Sequence, residues 1–424
     1  MKLFFCIIFN FILCTLHAQV YVKEGKNRYT FAQTTFGYDM EYTLNGGYSM
    51  IRNANNELEK VAFDPSLSPV ISISGLHFWG HAEFFTGFSA GSISIGNTSP
   101  INYKRNGSTG FKVFPWAIRE RSIRPYLGAA VSTYHFQQGE GVIFKRVDYP
   151  LLFGLTYTFR KGLLEIGCNY HYDTDQSYYI SKNESVPFSI PVWSFNIDYK
   201  YYFDLSTTSL RQEKNGELES NFQLLKKHKS LSSFSIALGP AYSFVLGSST
   251  YNENVRPYLD DHQVTRIYPD IGLGYYNYKW NANLNLSWRF FTSKLSAYHV
   301  EQSVRRNSLA LEAYKFMGDY HGFVPFVGAI ISYERFTFKE SDAGNVMYNF
   351  TDHFFAPGII VGWDIRPTKT DWWGVRTNIR YFPNLQFDVA QQGTINMEQI
   401  ELNFLQMVLY PNRIYTYIHR RNEK

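Results

Sequence analysis

The stretch Asn281 to Phe290, NANLNLSWRF, decides the fold class. Ala282, Leu284, Leu286, Trp288 and Phe290 fall on one side; Asn281, Asn283, Asn285, Ser287 and Arg289 fall on the other. Strict alternation of apolar and polar residues marks a strand with two unlike faces, and no helical period fits it. Trp193 to Phe203 repeats the pattern: Trp193, Phe195, Ile197, Tyr199, Tyr201 and Phe203 stand against Ser194, Asn196, Asp198 and Lys200. In Leu163 to Tyr172, Leu164, Ile166, Cys168, Tyr170 and Tyr172 oppose Glu165, Gly167, Asn169 and His171.

Outward from these segments the same reading predicts about sixteen strands. The first set spans 28–44, 70–79, 81–95, 107–117, 123–136, 146–160, 162–173 and 190–203. The second spans 231–246, 268–278, 280–296, 307–317, 322–336, 353–367, 371–382 and 397–412. Many exceed the roughly five or six residues of an average soluble strand. They suit the roughly nine to eleven that cross a bilayer on a tilt. Connections alternate in length. Long ones cover Asn45 to Ser68, Gly96 to Asn106, Gln137 to Lys145, Thr174 to Ser189, Gly247 to Ile267, Ala297 to Arg306 and Lys339 to Asp352. Tight ones fall at Gly80, Arg119 to Ser122, Lys161, Lys279, Gly318 to His321 and Lys369-Thr370. Long loops on one side and tight turns on the other are the signature of a transmembrane β-barrel.

Composition agrees. The chain has 424 residues, and its aromatic share is 18%, from 33 Tyr, 36 Phe and 8 Trp. A formal net charge of +5 is too mild to indicate nucleic-acid binding. Beyond the N-terminus no uninterrupted apolar run approaches the roughly 18 residues of a spanning helix. Met1 to Ala18 reads as a secretory signal, with Lys2 as its basic region, an apolar run from Leu3 to Leu16, and Ala18 before the cut. Cys6 and Cys14 leave with it, and Cys168 alone cannot form an internal disulfide.

A shift of about 200 residues superposes strands on strands and turns on turns. Pro69, Ile71 and Ala82 meet Pro269, Ile271 and Ala282; Pro125, Gly128, Ala129, Ser132 and Phe136 meet Pro325, Gly328, Ala329, Ser332 and Phe336. The chain therefore divides into a signal peptide (1–18), a first eight-strand repeat (19–204), a polar connector (205–230), a second eight-strand repeat (231–418) and a polar tail (419–424). Leu218, Phe222 and Leu225 could make a short amphipathic helix in the connector, but its polarity favours solvated chain. The expected fold is an all-β transmembrane antiparallel barrel of about 16 strands, made from two tandem eight-strand repeats. Two separate eight-stranded barrels are the alternative. The consecutive inward polar residues Asn283 to Arg289 favour one wide ring; the long connector favours two.

The signal ending His17-Ala18-Gln19, the Tyr- and Phe-rich strands, and the segments RPYLGAAVS and VPFVGAIIS resemble outer-membrane β-barrel proteins of Bacteroidetes-type bacteria. Each half resembles a small OmpA/OmpW-like eight-stranded barrel domain. The resemblance implies a bacterial outer-membrane location, contact with outer-membrane lipid and lipopolysaccharide, and delivery by the outer-membrane insertion machinery. One departure is the polar Arg420-Arg421-Asn422-Glu423-Lys424 ending, where many such barrels finish on an aromatic residue.

Aromatic residues at the bilayer interfaces should form girdles, here Tyr157, Phe159, Tyr199, Tyr201, Trp372, Trp373, Tyr381 and Tyr410. The inward polar face should carry Glu165, Asn169, His171, Asn196, Asp198 and Lys200 in the first half. In the second it should carry Asn283, Asn285, Arg289, Glu312, Asp364, Arg366, Arg376, Asn378 and Arg380. These groups either line an aqueous channel, which the run from Asn283 to Arg289 favours, or pair into a salt-bridged plug. His171 with Ser132, Ser194 and Glu165 could make a Ser–His–carboxylate set, but no motif around the histidine supports one. His77, His81 and Glu83 read as turn polarity, and Asp173, Asp175 and Asp260-Asp261-His262 as solvated loop charge. The expectation is a non-enzymatic barrel without cofactor or metal and without nucleic-acid partners, channel-forming (porin-like) or structural. The alternatives are an outer-membrane enzyme acting on lipid or lipopolysaccharide, and a secreted all-β binding module.

Overall fold

The computed structural model describes residues 21–422 apart from 25–26, 31, 97–98, 140–141, 204–215, 260–266, 321 and 367. The expected signal peptide and the first part of the connector lie outside the described residues. Lipid cannot hydrogen-bond a peptide group, so alternating strands in a bilayer must close into a ring. The chain does this twice.

The first ring contains β1 (Ala32–Thr43), β2 (Ser66–His77), β3 (Ala82–Ser89), β4 (Ile101–Val113), β5 (Ile123–Gln138), β6 (Leu151–Phe159), β7 (Gly162–Tyr170) and β8 (Trp193–Phe203). Successive strands pair antiparallel, and β8 returns to β1 with Tyr199 opposite Tyr38. The second contains β9 (Ser233–Val245), β10 (Tyr268–Asn277), β11 (Ala282–Ala297), β12 (Val300–Phe316), β13 (Phe323–Asp342), β14 (Asn345–Ile365), β15 (Trp373–Phe382) and β16 (Gln399–Leu409). It closes where β16 pairs with β9, Leu409 opposite Ile236. Each predicted strand is present, and the arrangement is the two-barrel alternative. The single wide ring is corrected: Trp193–Phe203 pairs with Ala32–Thr43 and not with Ser233–Val245.

The faces follow the sequence. Leu284 and Leu286 are 52% and 43% exposed, whereas Asn283 and Asn285 are 4% and 2% exposed. Ile166, Ile197, Ile331 and Ile359 extend the exposed apolar band around both rings. No helix among the described residues is long and apolar enough to cross a membrane. Gly128 and Gly328 occupy the same place in the fifth strand of each ring. A Cβ at Gly128 would run into the Phe111 carbonyl oxygen, and one at Gly328 into that of Ala313, closer than real Cβ atoms approach. Glycine there lets the wall pack against its neighbouring strand.

Four local expectations are corrected. The supposed long loops Ala297 to Arg306 and Lys339 to Asp352 are strands paired up to tight turns at Tyr298-His299 and Ala343-Gly344. All four turn residues have positive φ, as twisted hairpins require. The predicted strand 146–160 is broken after Asp148, and both pieces, Phe144–Asp148 and Leu151–Phe159, pair with β5. The connector contains a helix, α1 (Glu217–Lys227), whose Leu225 is buried and whose Phe222 ring lies 6.0 Å from Tyr278. Residues Pro411–Asn422 form a second long helix rather than the end of a strand and a tail; with a short turn of helix at Thr250–Val255 as α2, this is α3. Arg413 of α3 donates to the carbonyls of Lys369, Asp371 and Leu231 at 2.8–2.9 Å, tying the helix across the tight-turn end of the second ring.

The long-loop ends are capped. Strands Tyr48–Arg52, Leu58–Ala62, Asp175–Ser181 and Glu184–Ser189 make a four-stranded sheet over the first ring. Beneath it Phe136 stacks on Phe188 at 4.3 Å, with Phe63, Phe144 and Tyr178 around them. Over the second ring, α2 and the hairpin Gln386–Asp388/Thr394–Asn396 bring Tyr251, Phe387 and Ile395 into the main apolar cluster.

The rings also touch each other. Trp363 packs 4.8 Å from Phe84, and His77 lies 4.9 Å from Phe323. Tyr242 reaches across to the hydroxyls of Thr86 and Thr109. Outside the apolar band, Tyr298 donates to the Tyr179 carbonyl at 2.6 Å and Lys182 meets Asp342 at 3.4 Å.

Because β8 seals onto β1, residues 20–204 refolded alone in detergent should give a band that shifts on boiling in a gel. A half-chain that never resists unfolding by detergent would show that the first ring cannot stand without the second. Leu284→Arg, near mid-wall, should cost roughly 2–4 kcal/mol in folding into lipid, and Trp280→Arg at the turn about 0–1 kcal/mol. Equal penalties in a denaturant titration would contradict this assignment of depth.

Candidate functional site

An eight-strand ring has an interior only wide enough for side chains. Polar residues that alternate inward therefore meet one another. In the first ring they form two layers. Toward the long-loop side Arg105 lies 3.0 Å from Glu41 and 2.9 Å from Asp148. His171 is 2.6 Å from the same Asp148 oxygen. Ser194 donates to Glu41 at 2.7 Å, and Asn169, half-buried, donates to Ser194 at 3.0 Å. In the next layer Lys200 is shared by Glu83 at 2.6 Å, Glu165 at 3.1 Å and Asp198 at 3.1 Å, and Lys112 pairs with Glu165. Near the tight turns Arg124 donates to the Gly80 carbonyl at 2.7 Å and lies over the Phe114 ring.

The second ring holds a continuous chain of pairs. Arg376 grips Asp364 with two nitrogens at 2.7 and 2.9 Å and also donates to Tyr314, which accepts from Asn283 at 2.5 Å. Arg380 bridges Glu312 and Asp270, both at 2.8 Å; Asn285 and Ser287 donate to Glu312 at 2.9 and 2.6 Å. Arg289 and Arg306 share Glu401, and Arg306 forks onto Glu334 with both bonds at 2.7 Å. Arg366, at the tight-turn end, lies over the Phe316 and Tyr276 rings. Above the wall Tyr251 donates to Glu340, which also holds Arg256 at 2.9 Å. Burial, with the Glu340 carboxylate beside it, pushes the Tyr251 hydroxyl up from its ordinary range.

Every inward residue expected from the sequence faces an interior, and all but Asn169 are buried, Asn378 among them. The expected aqueous lumen is replaced by the salt-bridged plug, because a narrow ring forces the charges together. Of the girdle, Tyr157, Tyr199, Tyr201 and Trp372 are exposed on the outer wall, and Phe159, Trp373 and Tyr381 are half-exposed there. Phe159 stacks on Tyr199 at 5.6 Å. Tyr410 is corrected: it is 3% exposed, buried under α3 with the Arg413 guanidinium 4.4 Å from its ring.

The Ser–His–carboxylate set does assemble, but with Asp148 rather than Glu165. Asp148 holds His171 Nδ1, and His171 Nε2 lies 3.3 Å from Ser194 Oγ. Ser194 donates its hydrogen bond to Glu41 instead of to His171, and all of these side chains are buried inside the ring. Ser132 donates to the Gly107 carbonyl and accepts from Arg105. His81 meets the Phe114 carbonyl at 3.1 Å, His77 is wedged against the second ring, and Glu83 points inward to Lys200. Asp173 and Asp175 are exposed, and Asp260-Asp261-His262 lies outside the described residues. Among the described residues no group of three or more His, Cys, Asp or Glu is placed to hold a metal.

Part of each plug is not legible in the sequence. Arg105 and Arg306 fell in segments taken for loops, although each is two residues from another inward position on an alternating run. Glu401 escaped because the pairing of β16 shifts register on both sides, which blurs the alternation.

No protein-family model matches the chain, and no curated protein matches it. Among solved structures, Neisserial surface protein A aligns at 14% identity and a TM-score of 0.29, over 42% of this chain and 98% of its own. Ail, the attachment invasion locus protein of Yersinia pestis, aligns at 10% identity and 0.27, over 42% of this chain and 97% of its own. An outer membrane channel from Pseudomonas putida F1 aligns at 9% and 0.22, over 92% of this chain and 99% of its own. These likenesses are too distant to bear on function.

Arg306→Ala would take both guanidinium bonds from Glu334 and leave Glu401 with Arg289 alone of its two arginines, and should cost roughly 3–5 kcal/mol in urea unfolding from vesicles. An unchanged unfolding midpoint would show that water, not Arg306, compensates those carboxylates.

Proposed function

We propose that the chain is a non-enzymatic, structural outer-membrane protein of the Bacteroidetes type, two OmpA/OmpW-like barrels in tandem that do not conduct. The observation that carries the reading is the filling of both interiors by paired, buried side chains: Lys200 with Glu83, Glu165 and Asp198 in one, and Arg289, Arg306 and Arg380 with Glu401, Glu312 and Asp270 in the other. Ions crossing either ring would have to break these pairs, and opening a buried pair costs several kcal/mol. The porin-like alternative needs a water-filled bore, which eight strands do not leave.

The enzymatic alternative has its residues but no approach for a substrate. A lipid-cleaving triad needs its serine open to lipid or water, and Ser194 is buried with its hydroxyl donating to Glu41. Outer-membrane lipid and lipopolysaccharide would contact the apolar band, and the insertion machinery would deliver the chain. The functional surfaces are then the capped ends and the β11–β14 arms, whose strands run up to 21 residues and exceed what a bilayer requires.

Planar-bilayer recording tests the reading. Purified full-length chain should insert without stepwise conductance, and Arg306→Ala, by leaving a gap in the plug, should add small irregular leaks. Regular large steps from the wild-type protein would restore the porin reading.

A further inference from the structure

The outer wall of the second ring changes chemistry at one level. On β11 to β14, Trp288, Leu309, Tyr333 and Phe355 stand opposite one another in one row, and all are exposed. On the tight-turn side of that row the wall is aliphatic, with Leu286, Leu311 and Ile331 exposed. On the arm side it turns basic. Arg335 and His353 follow in the next row, Arg305 in the one after, and Lys294 and Lys339 in the third, and all five are exposed.

Arg305 is the centre of this group. It stands opposite Thr292 on β11 and Thr337 on β13. Lys294 lies two residues past Thr292, and Arg335 and Lys339 lie two residues to either side of Thr337. All three are therefore diagonal neighbours of Arg305, roughly 7–8 Å away and within reach of one another's long side chains. His353 stands directly opposite Arg335 and shares a hydrogen bond of 3.0 Å with the Tyr333 hydroxyl. Among the described residues none of the four long cations forms an ion pair. Arg289 and Arg306, on the same strands but facing inward, are both paired. Glu301, opposite Ser341 one row nearer the arm tip, is also without an ion pair among the described residues. Asp342 is taken by Lys182, and Asp352 accepts from the backbone N–H of His353. Like charges gathered on neighbouring strands repel, so no partner within the protein accounts for this cluster.

Its position names the missing partner. An aromatic row marks the edge of the hydrocarbon layer, and the long-loop end of such a barrel faces outward. The cluster is therefore level with the headgroups of the outer leaflet, and guanidinium groups match phosphate with paired hydrogen bonds. We propose that this face docks a phosphate-bearing lipid, the lipid A part of lipopolysaccharide. Arg305 and Arg335 hold its phosphate, Lys294 and Lys339 flank it, and its acyl chains run down the wall over Tyr333 and Leu311. The site rests on the outer-membrane reading above, and adds to the general contact of the apolar band one fixed lipid chosen by charge.

The test uses the purified full-length chain refolded in a zwitterionic detergent free of lipopolysaccharide. Titration with lipid A should raise, saturably, the temperature at which the folded band is lost, and high salt should weaken the effect. Lipid A stripped of its phosphates should act roughly tenfold more weakly or less, and inorganic phosphate should not substitute for it. Arg305→Gln combined with Arg335→Gln should weaken lipid A by roughly tenfold or more. Without lipid this variant should melt like wild type, because both side chains are exposed and form no ion pair among the described residues. Lys226→Gln with Lys227→Gln, exposed on α1, should leave the effect of lipid A unchanged. Equal effects of lipid A with and without its phosphates overturn the proposal, and that comparison needs no variant to fold. Undiminished binding by the double arginine variant overturns it too, and a full effect from inorganic phosphate overturns the lipid as occupant. Conductance is read separately: a chain that conducts yet keeps this preference upholds the site while the non-conducting reading fails.

Discussion

A charge enclosed by eight strands and surrounded by lipid has nowhere to go but to another charge. Its desolvation is repaid only by close, well-formed partners. This constraint organises the molecule. It explains why Arg306 forks onto Glu334 while sharing Glu401, and why Lys200 serves three carboxylates. It also explains why aromatic rings fill what the ion pairs leave, as where Arg376 lies over Tyr314 and Phe326. The interior is thereby a second, polar core, and the walls are held from within as well as by their backbone ladders.

The strands were legible because a half-lipid, half-polar wall must alternate, and Asn281 to Phe290 alternates without a fault. What each strand pairs with was not legible. Tyr199 stands on an aromatic, outward face that would sit as well beside Phe234 as beside Tyr38, because alternation specifies a face and not a neighbour. The arms at Tyr298-His299 and Ala343-Gly344 were hidden for a related reason: beyond the bilayer both faces of a hairpin can be polar, so the period fades while the ladder continues. The contact between rings was hidden most completely. Phe84, Trp363 and Tyr242 look like lipid-facing residues, and a neighbouring barrel is chemically close to lipid.

The candidate site shows the same division. The inward polar residues were identifiable by face, whereas their pairing depended on register. His171 was a visible member of a possible triad, but Asp148 and Glu41, which decide where its proton and that of Ser194 go, lie on strands whose alignment sequence alone does not supply. Tyr410 was read as the end of a strand; the chain instead turns into a helix there, and Arg413 binds it from within.

Closure of two rings in place of one changes how the chain can assemble. Tyr38 needs only to find Tyr199, and Ile236 only Leu409; a single ring would have asked the first strand to find the last across most of the chain. In equilibrium terms the saving is small, since each doubling of a loop costs only about 0.6 kcal/mol. In kinetic terms it matters more, because folding slows as the average distance along the chain between contacting residues grows. With β8 sealed on β1, the first ring has no open edge while the second is still being threaded. Unpaired strand edges are what invite mispairing, so the half completed early is also the half removed from that hazard.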